Sequence, residues 1–125
     1  MNELEFLDER KEVWYALSNL YLDTELQESD FQYITRIFLE SPFSLENIKK
    51  IDQYEVFPVL FSNLMDPAGE WAGFEEKRLV KNIMNWLESR NQLDIFAIKC
   101  IYYLYEPMNQ NYWKRVEEIY NQADV

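Results

Sequence analysis

Histidine is absent from this sequence, and in 125 residues cysteine occurs once, glycine twice and proline four times. Each shortage excludes something. Without histidine there is no Ser-His-Asp or Cys-His catalysis, no histidine-ligated zinc and no histidine pH switch. A single cysteine, Cys100, cannot close an internal disulfide, which fits a reducing compartment. It lies in the apolar stretch 97–102 and reads as a small buried hydrophobe. Long apolar runs are missing too. The longest are about six residues, such as 56–61, against the roughly 20 that a spanning helix needs. Residues 1–8 are acidic and lack the positive segment of a signal peptide. The expectation is a soluble, cytoplasmic protein with no membrane partner. Basic residues are also few, 12 Lys and Arg against 23 Asp and Glu, for a net charge of −11. Such a balance repels nucleic-acid phosphates and attracts basic partners.

What the chain does have is aromatic and apolar material. Eight Phe, nine Tyr and four Trp, within a hydrophobic share of 48%, supply a core and argue against disorder. The length suits one domain, residues 1–125.

The apolar period is helical almost throughout. Asp8 is placed to cap a first helix over 8–22, with Val13, Trp14, Leu17, Leu20 and Tyr21 on one face. Ser29 and Gln32 read as a capping box for a second helix that stops before Pro42. Ser44 caps a third. Pro58 fits the first turn of a fourth helix, from about 57 to 65. Both glycines fall in 66–74, which is expected to be irregular. A fifth helix spans 75–89. A sixth carries Leu93, Phe96, Ala97, Cys100, Ile101 and Leu104 inward and ends at Pro107, and a seventh covers 109–122. The fold class expected is all-α, a compact single-domain bundle of six to seven short helices.

Charge is distributed unevenly. Residues 1–76 hold 17 acidic and 5 basic residues, a balance of −12, and residues 77–125 hold 6 acidic and 7 basic, a balance of +1. Asp23, Glu25, Glu28 and Asp30 gather around the first inter-helix connection. As a negative patch they would steer a basic protein partner, raising association rate and specificity more than affinity. As a solvated face they would do nothing more than favour helix starts. Tyr54, Glu55 and Trp71 lie near the glycine segment, where aromatic side chains can act as interface anchors.

Catalytic constellations are weak. With 23 carboxylates, chance alone supplies acid–base pairs. The pieces 8–11 and 75–77 place acids beside lysine as metal-dependent nucleases do, but they read as helix starts rather than strands. Asp23-Thr24-Glu25 lacks the glycine that a calcium loop requires. There is no phosphate-cradling glycine loop and no Cys-x-x-Cys. No catalytic residue, metal or cofactor is expected.

The pieces Leu22-Asp23-Thr24-Glu25, Tyr54-Glu55-Val56-Phe57-Pro58 and Gly69-Glu70-Trp71-Ala72-Gly73-Phe74 together resemble an uncharacterised family of small bacterial proteins, over roughly residues 12–85. The resemblance lends no catalytic residues. It implies a small bacterial cytoplasmic protein, similar in character to immunity proteins that neutralise toxins. On this reading the chain binds a cognate, basic, nuclease-like toxin domain by occlusion, through Asp23, Glu25, Glu28, Asp30, Tyr54, Glu55 and Trp71. The alternative is an adaptor that binds a host protein through the Trp71 loop. A third reading, an enzyme without histidine, would require Asp23, Glu25, Tyr54 and Glu55 to converge in one deep pocket.

Overall fold

Local signals start each helix. Ser44 has extended backbone and its Oγ accepts from the Asn47 N–H at 3.1 Å, the expected N-cap. The second helix uses a different cap from the one expected. Its N-cap is Gln27, whose N–H donates to the Asp30 carboxylate at 2.8 Å, so the reciprocal pair sits two residues upstream of Ser29 and Gln32. Asp8 does not cap the first helix. Phe6, in the left-handed region with φ 56°, holds that place, and Asp8 lies in the first turn where its charge favours the helix dipole.

A computed structural model describes residues 6–21, 26–64 and 75–123. Within them the elements are α1 (Leu7–Ser18) with a 3-10 turn (Asn19–Tyr21), α2 (Glu28–Glu40), α3 (Leu45–Ile51), a π turn (Asp52–Val56), α4 (Phe57–Leu64), α5 (Glu76–Ser89) and α6 (Gln92–Ala123). The protein is a compact all-α bundle of six helices, with no strand among the described residues. The expected glycine loop, 66–74, lies outside them.

One boundary differs from the sequence reading. The fourth helix does begin at Phe57, with Pro58 in its first turn, but without a break before it. The chain stays helical from α3 through the π turn into α4, where the Phe57 N–H bonds the Asp52 carbonyl five residues back. Helices six and seven are one. The backbone runs helically through Pro107, although proline withdraws one intrahelical bond. Tertiary packing explains the continuity. One buried or half-buried stripe, Ile98, Tyr102, Tyr105, Tyr112, Val116 and Ile119, passes the proline in phase at spacings of three, four and seven. Both halves therefore dock on the bundle, the first on Asp52, Phe57 and Tyr21 through Tyr102 and Tyr105, and the second on Phe31 and Phe38 of α2 through Tyr112 and Trp113.

The buried apolar side chains form one cluster. Val13, Trp14 and Leu17 come from α1, Ile34 and Phe38 from α2, and Ile48, Val56, Phe57 and Leu60 from the α3–α4 segment. Leu79 and Ile83 come from α5, and Trp113 and Val116 from α6. Phe57 anchors an aromatic group, with Tyr102 edge-on at 5.0 Å and Tyr105 at 5.1 Å. Phe38 stacks on Trp113 with centroids 6.1 Å apart. Such pairs add to area burial about 0.5–1.5 kcal/mol each.

The sixth-helix face is the main correction. Leu93, Phe96, Ala97, Cys100 and Leu104 were expected inward, and all five are exposed, while Ile101 is half-buried. Ile98 and Tyr102, almost opposite on the helix, are buried instead. Residues 93–105 are apolar on both faces, so periodicity alone does not choose between them. The choice is made by a buried acid that needs the Tyr102 hydroxyl, described next.

Candidate functional site

The π turn gathers the polar interior of the protein. A π turn widens the helix by one residue and re-aims the side chains that follow. Here it directs Asp52, Tyr54 and Glu55 towards three different helices, and each makes a separate polar junction.

Glu55 is 5% exposed and faces α1. Its carboxylate accepts from Arg10 Nε at 2.9 Å and Nη2 at 2.8 Å, a side-on bidentate pair, and from Trp14 Nε1 at 2.9 Å. Three donors on one buried carboxylate satisfy most of its lone pairs, as a buried ion pair requires. The Arg10 guanidinium also lies 5.3 Å from the centre of the Phe43 ring.

Asp52 is wholly buried. Its two oxygens accept from Tyr21 Oη at 2.7 Å and Tyr102 Oη at 2.9 Å. Burial pushes its pKa up to about 7, against the opposing pull of the two tyrosine hydrogen bonds. The same burial, with the Asp52 charge beside them, pushes the Tyr21 and Tyr102 hydroxyls well above the usual phenol range. Both tyrosines therefore stay protonated and remain donors.

The third junction answers Pro58. Having no N–H, Pro58 leaves the carbonyl four residues back, that of Tyr54, without its helical donor. That carbonyl accepts from Trp86 Nε1 at 2.8 Å and Arg90 Nη1 at 3.1 Å, both from the end of α5. Burial lowers the Arg90 pKa somewhat from its ordinary value. One proline thus becomes the point at which α5 is fastened to the α3–α4 segment.

The residues proposed from sequence separate under this geometry. Asp23, Glu25 and Trp71 lie outside the described residues. Glu28 is exposed but engaged by Arg115 of α6, whose Nε donates at 3.1 Å and whose Nη2 makes the second contact. That hydrogen bonding lowers the Glu28 pKa. Asp30 serves the α2 cap. Glu55 is an interior counter-ion rather than a surface carboxylate. Tyr54 and Glu55 do meet, at a cavity of about 310 Å³. Arg10, Lys50 and Arg90 line it as well, so its charge is positive and not negative. The Arg10 Nη1 beside it is buried and has no hydrogen-bond partner among the described residues. No group of three or more potential metal-ligating side chains occurs among the described residues.

The sequence reading missed Arg10, Trp14, Asp52, Tyr21 and Tyr102 as a polar system. One signal was available. Pro58 within a helical apolar pattern announces an unpaired carbonyl that some donor must reach.

Free carboxylates occur elsewhere. Asp8, Glu9 and Glu12 lie along the exposed side of α1, and none pairs with a cation among the described residues. The described members of the set 23–30, Glu28 and Asp30, are already engaged.

In class, then, this is a small all-helical domain with a polar interior organised by one π turn. It belongs to the family described as Domain of unknown function (DUF7079), whose profile matches residues 8–119. The match reaches well past the region 12–85 that the motifs marked, into α6. No curated protein and no solved structure matches the chain. No described helix is long and apolar enough to cross a membrane.

Proposed function

We propose that the protein is a non-catalytic, immunity-type binding protein of the bacterial cytoplasm that neutralises a basic toxin domain by occluding it. The observation that carries this reading is the charge distribution. The first 76 residues hold −12, and the exposed side of α1 offers Asp8, Glu9 and Glu12 without ion-pair partners among the described residues. Exposed, unpaired carboxylates are available to Lys and Arg that would otherwise grip phosphate, and they act most strongly on association rate and partner choice. Asp23 and Glu25 extend the same negative stretch of sequence. The buried polar groups fit a binding role better than catalysis, because Asp52 and Glu55 are enclosed and already satisfied by protein donors.

The test is to seek a toxin-like open reading frame beside the gene, co-express its product with this protein and measure binding. The combined variant Asp8→Asn, Glu9→Gln, Glu12→Gln is expected to bind about tenfold more slowly at low salt, with a flatter salt dependence. An unchanged association rate at every salt concentration sinks the α1 assignment.

A further inference from the structure

The exposed apolar stripe of α6 faces away from the core formed by the described residues. Leu93 is 75% exposed, Phe96 64%, Tyr103 75% and Leu104 76%, and between them lie Ala97 and Cys100, also exposed. At 100° per residue these six fall on one side of the helix, over three turns, opposite the buried Ile98 and Tyr102. At these exposures the four large side chains alone present on the order of 500 Å² of contiguous surface, as much as the largest patch of a typical monomer. We propose that this stripe is a self-association surface, on which a second copy of the chain docks with its own α6 antiparallel.

Three observations select a second copy over other occupants. The first is the order of side chains. A two-fold axis between antiparallel helices requires each position to face an acceptable partner from the same stripe. Pairing about the midpoint of 97 and 100 sets Leu93 opposite Leu104 and Ala97 opposite Cys100, with Phe96 opposite the half-buried Ile101 and Tyr103 opposite Asp94 at the edges. Large side chains meet at the ends and small ones at the centre, where close helix axes, about 8–10 Å apart, leave least room.

Charge is the second. A chain of −11 repels its own copy, but the repulsion belongs to the first 76 residues. Residues 92–106 carry only Asp94, Lys99 and Glu106, a balance of −1, so two copies can approach by this face and by few others. A strongly basic partner has better sites on the acidic half.

Area is the third. With Ala97, Cys100 and Ile101 included, two stripes face to face remove about 1,200 Å² from water, the lower end of specific interfaces. An interface at the lower end of that class belongs with weak, reversible association, for which a micromolar concentration range is the one to search.

Sedimentation velocity of the full chain over about 1–100 µM spans that range. The expected result is a concentration-dependent shift from 15.3 kDa to twice that mass. The double variant Leu93→Asp, Leu104→Asp should stay monomeric, weakening association at least tenfold. Both side chains are about three-quarters exposed, so helix content by circular dichroism should not change. In parallel, a short bis-maleimide should link Cys100 to Cys100 in wild type and fail to do so in the double variant. A monomer at all concentrations overturns the proposal. So does a dimer that survives the double variant, which would lie on another face.

Discussion

Residues 1–76 carry −12 and residues 77–125 carry +1, and among the described residues exposed apolar surface is distributed the opposite way. Of the described residues in the first part, the large exposed hydrophobics are Phe6, Tyr33 and Leu39, at 51%, 38% and 39%. In the second they are Leu93, Phe96, Tyr103 and Leu104, at 64–76% and on one helix face. One half carries the net charge, and the other the larger exposed apolar side chains among the described residues. Under the two proposals above, steering and desolvation fall on different patches. The π turn holds the halves together. Glu55 reaches back to α1, Asp52 joins the Tyr21 turn to α6, and the Tyr54 carbonyl fastens α5.

Breaking that joint should have the largest effect. Glu55→Ala strands the buried Arg10 charge and should cost about 3–5 kcal/mol in urea unfolding, as removal of one member of a buried pair does. Replacing both, as Arg10→Met with Glu55→Leu, should recover much of that loss. If Glu55→Ala unfolds at the wild-type urea midpoint, the Arg10 pair does not fasten the π turn to α1.

Asp52 should give the next effect, and a pH signature. Its folded pKa of about 7 lies above the unfolded carboxylate value, near 4, so the folded state holds the extra proton between the two. The stability it contributes is complete below about pH 4 and is lost as pH rises through 7. Unfolding followed from pH 5 to pH 8 should therefore show stability falling on the order of a few kcal/mol. Asp52→Asn should flatten that slope, and a slope equal to wild type would assign it to other groups. Trp86→Phe, which removes one donor from the Tyr54 carbonyl and keeps the aromatic volume, should cost about 1–2 kcal/mol by thermal melting. The smallest effect is expected from Glu28→Gln. The Arg115 pair is at the surface, and the melting temperature should hardly move.

Much of the helical layout was legible before any coordinates. Val13, Trp14, Leu17, Phe31, Ile34 and Phe38 repeat at helical spacing, and each is buried. Ser44 caps α3 because serine before an apolar turn has few better uses. Two kinds of information were not local. Pro107 is a strong stop signal, overridden because the stripe from Ile98 to Ile119 keeps its phase across it. The inward face of α6 was undecidable from period, since Leu93, Phe96 and Leu104 are as apolar as Ile98 and Tyr102. The pairing of Tyr102 with Asp52, 50 residues away, breaks the tie. The candidate site fared less well for the same reason. Glu28, Asp30 and Glu55 are carboxylates by sequence, but their partners Arg115, Gln27 and Arg10 appear only in three dimensions.

The division between an acidic binding face and an apolar self-association face is tested most directly by one affinity comparison. A basic toxin domain that this protein is found to neutralise would be titrated against wild type, the α1 variant Asp8→Asn, Glu9→Gln, Glu12→Gln, and the α6 variant Leu93→Asp, Leu104→Asp. The account predicts a Kd raised about tenfold for the α1 variant at low salt and a Kd within about twofold of wild type for the α6 variant. The reverse pattern, with the α6 variant abolishing toxin binding and the α1 variant leaving it intact, would contradict it.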